Sequence, residues 1–563
     1  MIAMSTVTSS VAGAFESTQA LAATCSMPTN GYGRMFANLP AATFSTSEID
    51  ALTKAIMAEP EVDPTPETEI DAEENLDIPA GYTYFGQFVD HDLTLDDRPN
   101  DLTTPTQVSS LINLRTPQFD LDSLYGSGPA TSAKLYNADF MHLLEGKLLT
   151  GSTDTGARDL PRDSRGQAIV GDPRNDENRI VAGIHSIFIR LHNQQVDRIL
   201  REQPQLSSAE VFALARKAVV AQYQQLVVSD YLPKIIDRRV LDRVLSNENG
   251  KLTANLSFYS SCMQMPVEFA VAAYRFGHSQ VRGLYRINSE VDRLPVFSGS
   301  FGTPGIDLVG FSAAPSNFGI DWSRFFSRSG RAETGVQSSY KIDASITNSL
   351  SLLPLPVTSA GPADLAKRNL LRSSQLGLPT GQDVARALGV RVLRDDEILI
   401  GKVTGVATEA TAITKLAPSL AGKTPLWAYI LAESTASAYR VVDGAIVGQQ
   451  RAPFRLGPVG SQIVAETFVG LLASDPNSII NTQQTRAQAS SLRQLFDQIS
   501  QNISVSSESE SPRRVQPRRD EPAQRDSQSQ RDLQAPRDRQ ATRREDQEPR
   551  RKNQQPRDQR RRN

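Results

Sequence analysis

Residues 86–92 have the sequence GQFVDHD, which places His91 between two carboxylates, Asp90 and Asp92. These charged residues follow directly on an aromatic and apolar run, residues 82–89. A neutral imidazole flanked by carboxylates can act as a general base or as a metal ligand, because its ordinary pKa lies near neutrality and its neighbours can shift it. A solvated histidine in a surface turn or at a helix N-terminus is the plainer interpretation, and the motif alone does not decide between them.

A second histidine motif lies far along the chain. Residues 274–278 have the sequence YRFGH, and His278 belongs to an amphipathic segment that extends to about Arg282. Pro266 precedes this segment, and proline is favoured in the first turn of a helix, where its missing amide hydrogen costs nothing. The sequence therefore predicts a helix that begins at Pro266 and carries His278.

Between the two histidine motifs lies a polar turn that contains an arginine. Residues 171–178 have the sequence GDPRNDEN, which places Arg174 just before an apolar-periodic segment, Glu177–Arg201, that predicts one long helix. The three motifs, in this order, resemble the animal haem peroxidase family of the peroxidase-cyclooxygenase superfamily. The resemblance covers roughly residues 28–475 and implies a mainly α-helical domain with long loops.

The resemblance implies a haem b cofactor with protein groups on both of its faces. On the proximal face His278 is the expected iron ligand, and Asn369 is expected to hydrogen-bond the other ring nitrogen of that histidine. On the distal face His91 is expected to take a proton from H₂O₂ and return it to the departing oxygen, while Arg174 stabilises the negative charge on that oxygen. Gln87 matches a distal residue that contacts bound ligand or water.

Further residues are implied to contact the edge of the haem. Arg275 and Arg372 are expected near the propionates, because a guanidinium can bind a carboxylate at two points. Asp90 and Glu177 match two carboxylates that form ester bonds to haem methyl groups in mammalian members; the alternative is that both are plain structural carboxylates at helix ends. Asn178 excludes the sulfonium link that a methionine forms at this position in some members.

A candidate calcium site follows the first histidine motif, in a segment where oxygen-bearing side chains stand at every second position. Calcium binds six to eight oxygen ligands, whereas a polar loop with an Asx turn would need no ion. The resemblance favours calcium, and the family more often has serine or threonine at the last position, so an extra negative charge is expected here. The implied ligands are Asp92, Thr116, the carbonyl of Gln118, Asp120 and Asp122.

The resemblance leaves three functional classes to compare. The first is a peroxidase that reduces H₂O₂ and oxidises small organic donors or halides. The second is a fatty-acid dioxygenase, which needs a tyrosine three residues before the proximal histidine; that position is Arg275, and Tyr274 is one residue away. The third is an adhesion or matrix protein that retains the fold without activity, and it would be expected to lack at least one of His91, Arg174 and His278.

The composition of the chain indicates where in or outside the cell the protein is expected. The chain has 563 residues, of which 39% are hydrophobic, but no stretch approaches the 18 or so uninterrupted apolar residues of a membrane span. The N-terminus lacks the positive charge of a secretory signal, and two cysteines, Cys25 and Cys262, cannot form a disulfide framework. A soluble protein is expected, either cytoplasmic or secreted without a recognisable signal peptide.

Three regions differ in composition. Residues 1–27 are rich in Ser, Thr and Ala and are predicted to be flexible, residues 28–502 form the predicted catalytic domain, and residues 503–563 form a tail of Arg, Gln, Asp and Pro. From residue 511 onward there are 17 Lys and Arg against 9 Asp and Glu, a charge of +8, so the rest of a chain with net charge −3 carries −11. Such a tail is predicted to be disordered and suited to anionic surfaces. It lacks the aromatic residues that stack on bases, so no specific nucleic acid is expected.

Periodicity and capping residues predict most of the helices. His185 and His192 lie on the predicted helix 177–201 without another ligand at metal-binding spacing, so they are expected to pack and to form hydrogen bonds. Residues 290–359 are rich in Gly, Ser and Pro and are predicted to be mostly loop. The other predicted helices are Ser45–Ala58 with Ser47 as N-cap, a helix that starts with the capping box Ser207–Glu210 and ends near Tyr231, and residues 364–373, 381–388 and 463–472.

Overall fold

The computed structural model describes residues 30–501 with some gaps, so residues 1–27, residues 503–563, Cys25 and Cys262 lie outside the described residues. Nothing in the structure therefore bears on the predicted flexible N-terminus or on the predicted disordered tail. The gaps are residues 62–70, 99–100, 103, 260–264, 292, 300–304, 331–332, 356, 359–360, 406–409, 451–452 and 484–488.

The described part of the chain is mainly α-helical, as predicted. Short 3₁₀ and π segments and long loops connect the helices, and residues 290–359 are mostly loop. The α-helices are α1 Thr46–Ile56, α2 Gly81–Leu93, α3 Asp122–Tyr125, α4 Arg179–Glu202, α5 Ser208–Leu226, α6 Leu232–Ile235, α7 Arg238–Val244, α8 Leu365–Gln375, α9 Gly381–Ala387, α10 Ile413–Leu416, α11 Leu426–Ala438, α12 Pro458–Ser474, α13 Ile479–Thr482 and α14 Leu492–Gln501.

The strands of the described residues are short and pair only in twos. Five pairs are antiparallel, β2 with β8, β3 with β4, β6 with β7, β9 with β10 and β11 with β12, and one, β1 with β5, is parallel. Their bounds are β1 Tyr32–Gly33, β2 Glu74–Pro79, β3 Leu245–Glu248, β4 Lys251–Ala254, β5 Met265–Pro266, β6 Leu284–Tyr285, β7 Leu294–Pro295, β8 Ser338–Tyr340, β9 Leu399–Gly401, β10 Ala410–Ala412, β11 Tyr439–Val442 and β12 Ala445–Gln449.

Helix α2, which carries His91, runs through the core. Eleven of its 13 residues are buried, so the apolar run before the histidine is core on every side rather than one amphipathic face. Phe88 stacks on Phe188 of α4 with ring centroids 5.0 Å apart. Gly86 is required by a close approach, because a Cβ there would lie 2.3 Å from the hydroxyl of Tyr231. Burial excludes the solvated histidine that the sequence motif had left open.

Helix α4 begins two residues later than predicted, at Arg179. Asn178 is its N-cap, and the Asn178 side chain accepts hydrogen bonds from the amides of Ile180 and Val181. Glu177 therefore lies in the turn before the helix rather than inside it. His192 is fully buried and bonds Tyr125 and the Met141 carbonyl, which agrees with its predicted packing role.

The predicted helix from Pro266 to Arg282 is not a regular α-helix. Pro266 belongs to strand β5, residues 268–272 form a π turn, and residues 273–280 form a 3₁₀ segment that carries His278. The hydrophobic periodicity identified the segment as helical, but it does not distinguish an α-helix from the tighter 3₁₀-helix or the wider π-helix. The segment packs against α2, α11 and α12.

One N-cap and several helices differ from the sequence prediction. The N-cap of α1 is Ser45 rather than Ser47, because Ser45 forms a reciprocal capping box with Glu48. The box that Ser207 forms with Glu210 is confirmed. Helices α11 and α14 and the short helices α3, α6, α7, α10 and α13 were not predicted. Helix α11 has 11 of 13 residues buried and so lacks the polar face that periodicity detects.

Among the described residues, no helix is both long enough and apolar enough to cross a membrane.

Candidate active site

One large cavity of about 580 Å³ lies between α2, the turn before α4, the 273–280 segment and α8. Much of its wall is apolar, with Leu102, Leu111, Val296 and Phe297 among the lining residues. The nine residues that the sequence assigned to the two haem faces and the haem edge all line it. They are Gln87, Asp90, His91, Arg174, Glu177, Arg275, His278, Asn369 and Arg372.

His91 lies in the last turn of α2 with only 4% of its surface exposed. Its Nδ1 is 2.9 Å from Oδ1 of Asn175, while Nε2 has no hydrogen-bond partner among the described residues. Burial, with a further contribution from the nearby Arg174 charge, lowers the pKa of His91 to about 4. The imidazole is therefore uncharged at neutral pH, as a proton acceptor must be.

Arg174 is fixed by the turn that contains it. Asp172 caps this turn and accepts bonds from Nε and Nη2 of the guanidinium at 3.1 and 2.8 Å. Nη2 also donates to the carbonyls of Thr94 and His91 at 2.5 and 3.3 Å. Within the described residues Nη1 has no acceptor, so one donor remains available to a group in the cavity. Burial raises the pKa of Asp172 and the charge of Arg174 lowers it. The net result is a pKa well below the usual range of an aspartate.

Gln87 belongs to a chain of polar contacts on the same wall. Its amide oxygen accepts from Asn178 at 3.0 Å, and its amide nitrogen donates to Glu177 at 3.3 Å. Burial raises the pKa of Glu177 to about 7. A substantial fraction of this carboxyl is therefore protonated near neutrality.

On the other side of the cavity, Nδ2 of Asn369 lies 2.9 Å from Nδ1 of His278. Burial, followed by the charge of Arg275, lowers the pKa of His278 to about 3, so the ring is neutral. A histidine that binds a metal through Nε2 carries its proton on Nδ1 and needs an acceptor there. Asn369 can supply that acceptor if its carboxamide turns by about 180°, because the two ends of the group have nearly the same shape.

Two ion pairs lie at the cavity wall. Nη1 of Arg275 is 3.7 Å from Asp90, whose Oδ1 also accepts from Thr94 at 2.9 Å. Arg372 pairs with Asp96 and donates to the Asp101 carbonyl at 3.1 Å. Both arginines are thus held in place at the cavity, which each of them lines.

The cavity fits a large flat apolar group that has carboxylates at one edge. Its wall is mostly hydrophobic, and the lining arginines, Arg275, Arg368 and Arg372, can bind carboxylates. Two neutral histidines, His91 and His278, line it as well. These features match what a haem requires of its pocket.

A separate cluster of carboxylates, the acidic cluster, is formed by Asp92, Asp120 and Asp122. One carboxylate oxygen from each lies within 4.8 Å of the others. Asp92 is fully buried, and among the described residues its Oδ1 has no hydrogen-bond partner. Burial and the neighbouring carboxylates raise the pKa of Asp92 well above its usual value and that of Asp120 to about 7. One buried and two half-buried acids at this spacing fit a cation with oxygen ligands.

The other two predicted calcium ligands lie in the loop beside this cluster. The amide of Thr116 donates to Asp122 at 2.8 Å, and the amide of Gln118 donates to the Thr116 carbonyl at 2.7 Å. Arg115 and Arg216 each approach one of the acids to 3.4 Å and offset part of the negative charge. Neither arginine contacts Asp92.

The roles of several residues that line the cavity, or that hold its side chains in place, were not predicted from the sequence. Asn175, next to Arg174, bonds His91 and on its other side lies 2.9 Å from Nδ1 of His185. Tyr32 lines the cavity from strand β1, and Tyr274 donates from its hydroxyl to that of Tyr231 at 2.9 Å. Asn175 and Tyr274 both lie inside motifs quoted above, GDPRNDEN and YRFGH, but no periodic signal marks their contacts.

The chain is similar to known proteins over much of its length. A family model described as animal haem peroxidase matches residues 97–416. The match includes Arg174, Glu177, His278 and Asn369, and it begins just after the segment that contains His91. It covers more than half of the 563 residues.

Individual relatives are similar over shorter regions. Heme peroxidase 2 of Caenorhabditis elegans is 30% identical over 189 residues, which are 31% of this chain and 25% of that protein. Peroxinectin A of Dictyostelium discoideum is 24% identical over 227 residues, 39% of this chain and 37% of that protein. The chain thus spans well under half the length of these curated relatives.

Solved structures share the fold over most of the chain. Peroxidase A from Dictyostelium discoideum has a TM-score of 0.56 at 19% identity and covers 85% of this chain and 94% of its own. The fatty acid alpha-dioxygenase of Oryza sativa has the same TM-score at 14% identity, with 84% and 81% covered.

Proposed function

Because this chain belongs to the animal haem peroxidase family, we propose that it is a haem-dependent peroxidase that reduces H₂O₂ and oxidises small organic donors or halides. The single observation that carries the proposal is that His91, Arg174, His278 and Asn369 line one cavity and that protein contacts hold each of them. An adhesion protein that had lost activity would have no need to retain all four.

Haem, when bound, supplies an iron to which peroxide can coordinate and which accepts and donates the electrons of the reaction. On the distal side, His91 accepts a proton from peroxide at Nε2 and returns it to the departing oxygen. Its pKa of about 4 makes it neutral and able to accept at neutral pH. The free Nη1 of Arg174 donates to the oxygen on which negative charge develops, and Asp172 fixes the guanidinium for this role. Gln87 contributes a donor near the same position.

On the proximal side, His278 is the proposed iron ligand through Nε2. With its carboxamide turned so that Oδ1 faces the ring, Asn369 would accept the hydrogen of Nδ1, which would orient the ring and raise its basicity. Arg275 and Arg372 bind the propionates, since both line the cavity and a guanidinium matches a carboxylate in shape. These contacts hold the cofactor in one orientation.

Asp90 and Glu177 are proposed to form ester bonds to haem methyl groups. Each ester would replace a methyl C–H bond and the carboxyl O–H bond by a C–O bond, and the two hydrogens would reduce one H₂O₂ to two molecules of water. Both carboxylates line the cavity, and each is held by a neighbour, Thr94 for Asp90 and Gln87 for Glu177. The raised pKa of Glu177 makes a neutral carboxyl available. Asn178 leaves no sulfur for a sulfonium link.

Calcium is the ion proposed for the acidic cluster, with Thr116 and the Gln118 carbonyl completing the ligand set. The unpartnered buried oxygen of Asp92 supports this, because a bare carboxylate in the core is costly unless a cation or donor satisfies it. Asp92 adjoins His91 in α2. A cation bound there would therefore stabilise the end of the helix that carries the distal base.

A fatty-acid dioxygenase is the second candidate. The dioxygenase fold is shared over most of the chain, and Tyr274 lies in the cavity wall with its hydroxyl bonded to Tyr231 and to the Gly86 carbonyl. Against it, the residue three before His278 is Arg275, which pairs with Asp90 and cannot form a tyrosyl radical.

Turnover of haem-loaded protein separates the two candidates. Peroxidase function predicts oxidation of a phenolic donor that requires H₂O₂ and is retained by Tyr274→Phe. Dioxygenase function predicts O₂ consumption with a fatty acid that Tyr274→Phe abolishes. Oxygen uptake with fatty acid, together with no peroxide-dependent donor oxidation, would overturn the peroxidase proposal.

A further inference from the structure

The side chain of Asn175 bridges two buried histidines, one in the cavity wall and one behind it. Its Oδ1 is 2.9 Å from Nδ1 of His91, and its Nδ2 is 2.9 Å from Nδ1 of His185. We infer that Asn175 is a positioning residue, which, together with His185, holds His91 in the tautomer whose Nε2 lone pair faces the cavity. This inference rests on the proposed peroxidase function.

The chemistry of the amide sets the tautomer. A carboxamide oxygen only accepts, so Nδ1 of His91 must carry the hydrogen of that bond. In a neutral imidazole the other nitrogen, Nε2, then has the free lone pair. If the carboxamide turned around, its NH₂ group would donate to Nδ1 of His91, and Nε2 would carry the hydrogen. The histidine could then donate into the cavity but could not accept a proton from peroxide.

His185 lies on the other side of Asn175 and can accept from its NH₂ group in the productive orientation. It is 1% exposed and packs edge-on against Phe88, with ring centroids 6.1 Å apart. Burial lowers the pKa of His185 to about 3, so the ring is neutral and Nδ1 can accept the amide hydrogen of Asn175. With Asn175 itself fully buried, both ends of its carboxamide have a partner and no water is needed.

The backbone that carries Asn175 is also fixed. Its amide donates to the Asp172 carbonyl at 3.1 Å, and Arg162 makes two bonds of 2.8 Å to the next residue, Asp176. Arg174 precedes Asn175 in the same turn. One short turn thus sets both groups of the distal side, the arginine directly and the histidine through the asparagine.

The test compares two ligands that differ in whether binding releases a proton. Hydrogen cyanide must lose its proton when cyanide binds the ferric iron, so its association needs a distal base, whereas carbon monoxide binds the ferrous iron without any proton transfer. Both association rates are followed by stopped-flow absorption in haem-loaded wild type, Asn175→Ala and Asn175→Asp. Asn193→Ala is the matched control, because Asn193 is a buried asparagine whose carboxamide bonds Leu143 and Glu145 away from the cavity.

Loss of an orienting partner typically costs about 10- to 100-fold. Asn175→Ala is therefore expected to slow cyanide association and the reaction with H₂O₂ by about that factor, with carbon monoxide association unchanged. Asn175→Asp retains the acceptor for Nδ1 and is expected to keep most of the cyanide rate. Asn193→Ala is expected to match wild type with both ligands.

Cyanide association at the wild-type rate in Asn175→Ala would overturn the inference, and so would an equal slowing of cyanide and carbon monoxide, which indicates only a displaced backbone. If Asn175→Ala fails to bind haem, His185→Phe decides: a reduced cyanide rate supports the inference, and an unchanged rate overturns it. A wild-type protein that binds haem but reacts with neither peroxide nor cyanide would instead reject the proposed function.

Discussion

Removing calcium from the acidic cluster should destabilise the protein much more near neutral pH than in mild acid. The cluster brings the carboxylates of Asp92, Asp120 and Asp122 within 4.8 Å of one another. Without a cation, burial and then the repulsion of Asp122 disfavour ionisation, which is why the pKa of Asp120 rises from 3.8 to about 7. With calcium bound, the ionised form is the favoured one.

The raised pKa of Asp120 determines how the stability of the calcium-free protein changes with pH. An acid whose pKa is higher in the folded than in the unfolded state destabilises the fold as it ionises, so the penalty is absent below the unfolded pKa and complete above the folded one. For Asp120 the window runs from 3.8 to about 7. A rise of about 3 pKa units corresponds to about 4 kcal/mol, and the raised pKa values of Asp92 and Asp122 act in the same direction.

Thermal unfolding of calcium-loaded and chelator-treated protein at about pH 5 and about pH 7.5 measures this difference. The treated protein should have the lower Tm, and the Tm difference between loaded and treated protein, the calcium gap, should be larger at the higher pH. Asp120→Asn should narrow the gap because it removes one charge, while Asp242→Asn, at an exposed position, should leave it unchanged. If the treated protein becomes more stable as pH rises through this window, or has the same Tm as the loaded protein at both pH values, the acidic cluster does not bind calcium in this way.

Three other perturbations separate the remaining assignments. His278→Ala should fold but purify largely without haem. His91→Ala should keep haem and lose peroxide reduction by about 100-fold or more, since general acid–base groups contribute at least that much. Haem content is measured by absorption at equal protein concentration, and similar haem loss in both variants would mean that the two faces are wrongly assigned. After a few equivalents of H₂O₂, part of the haem should resist acid-acetone extraction, and Asp90→Val combined with Glu177→Ala should abolish this; complete extraction from treated wild type would return both residues to structural roles. Truncation after residue 505 should leave haem content and Tm intact. Truncation before α14 should be severely destabilising, because the four buried apolar side chains of this helix contribute about 1.5–3 kcal/mol each. A folded, stable protein without α14 would contradict this, as would loss of folding after truncation at residue 505.

The parts of the site that the sequence predicted are those carried by local motifs. GQFVDHD, GDPRNDEN and YRFGH each place their charged or ligating residue at a fixed spacing, and the structure brings all three into one cavity. Capping boxes were equally local, as at Ser207 and Glu210. Short-range patterns are readable because the partners lie within one helical turn.

The contacts that position the site were not predictable in this way. The bond from His91 to Asn175 joins residues 84 positions apart, and neither residue type nor spacing signals it. Helix α11 was missed because a fully buried helix has no polar face, and the winding of residues 268–280 was mistaken because an amphipathic pattern does not distinguish α from π and 3₁₀ turns. Tertiary packing decides these features.

The absorption spectrum of the purified protein, recorded before and immediately after one equivalent of H₂O₂, tests the central claim most directly. We expect a haem spectrum that changes on mixing with peroxide and returns when a phenolic donor is added. A protein that binds no haem when it is supplied, or whose haem spectrum does not respond to peroxide, would contradict it.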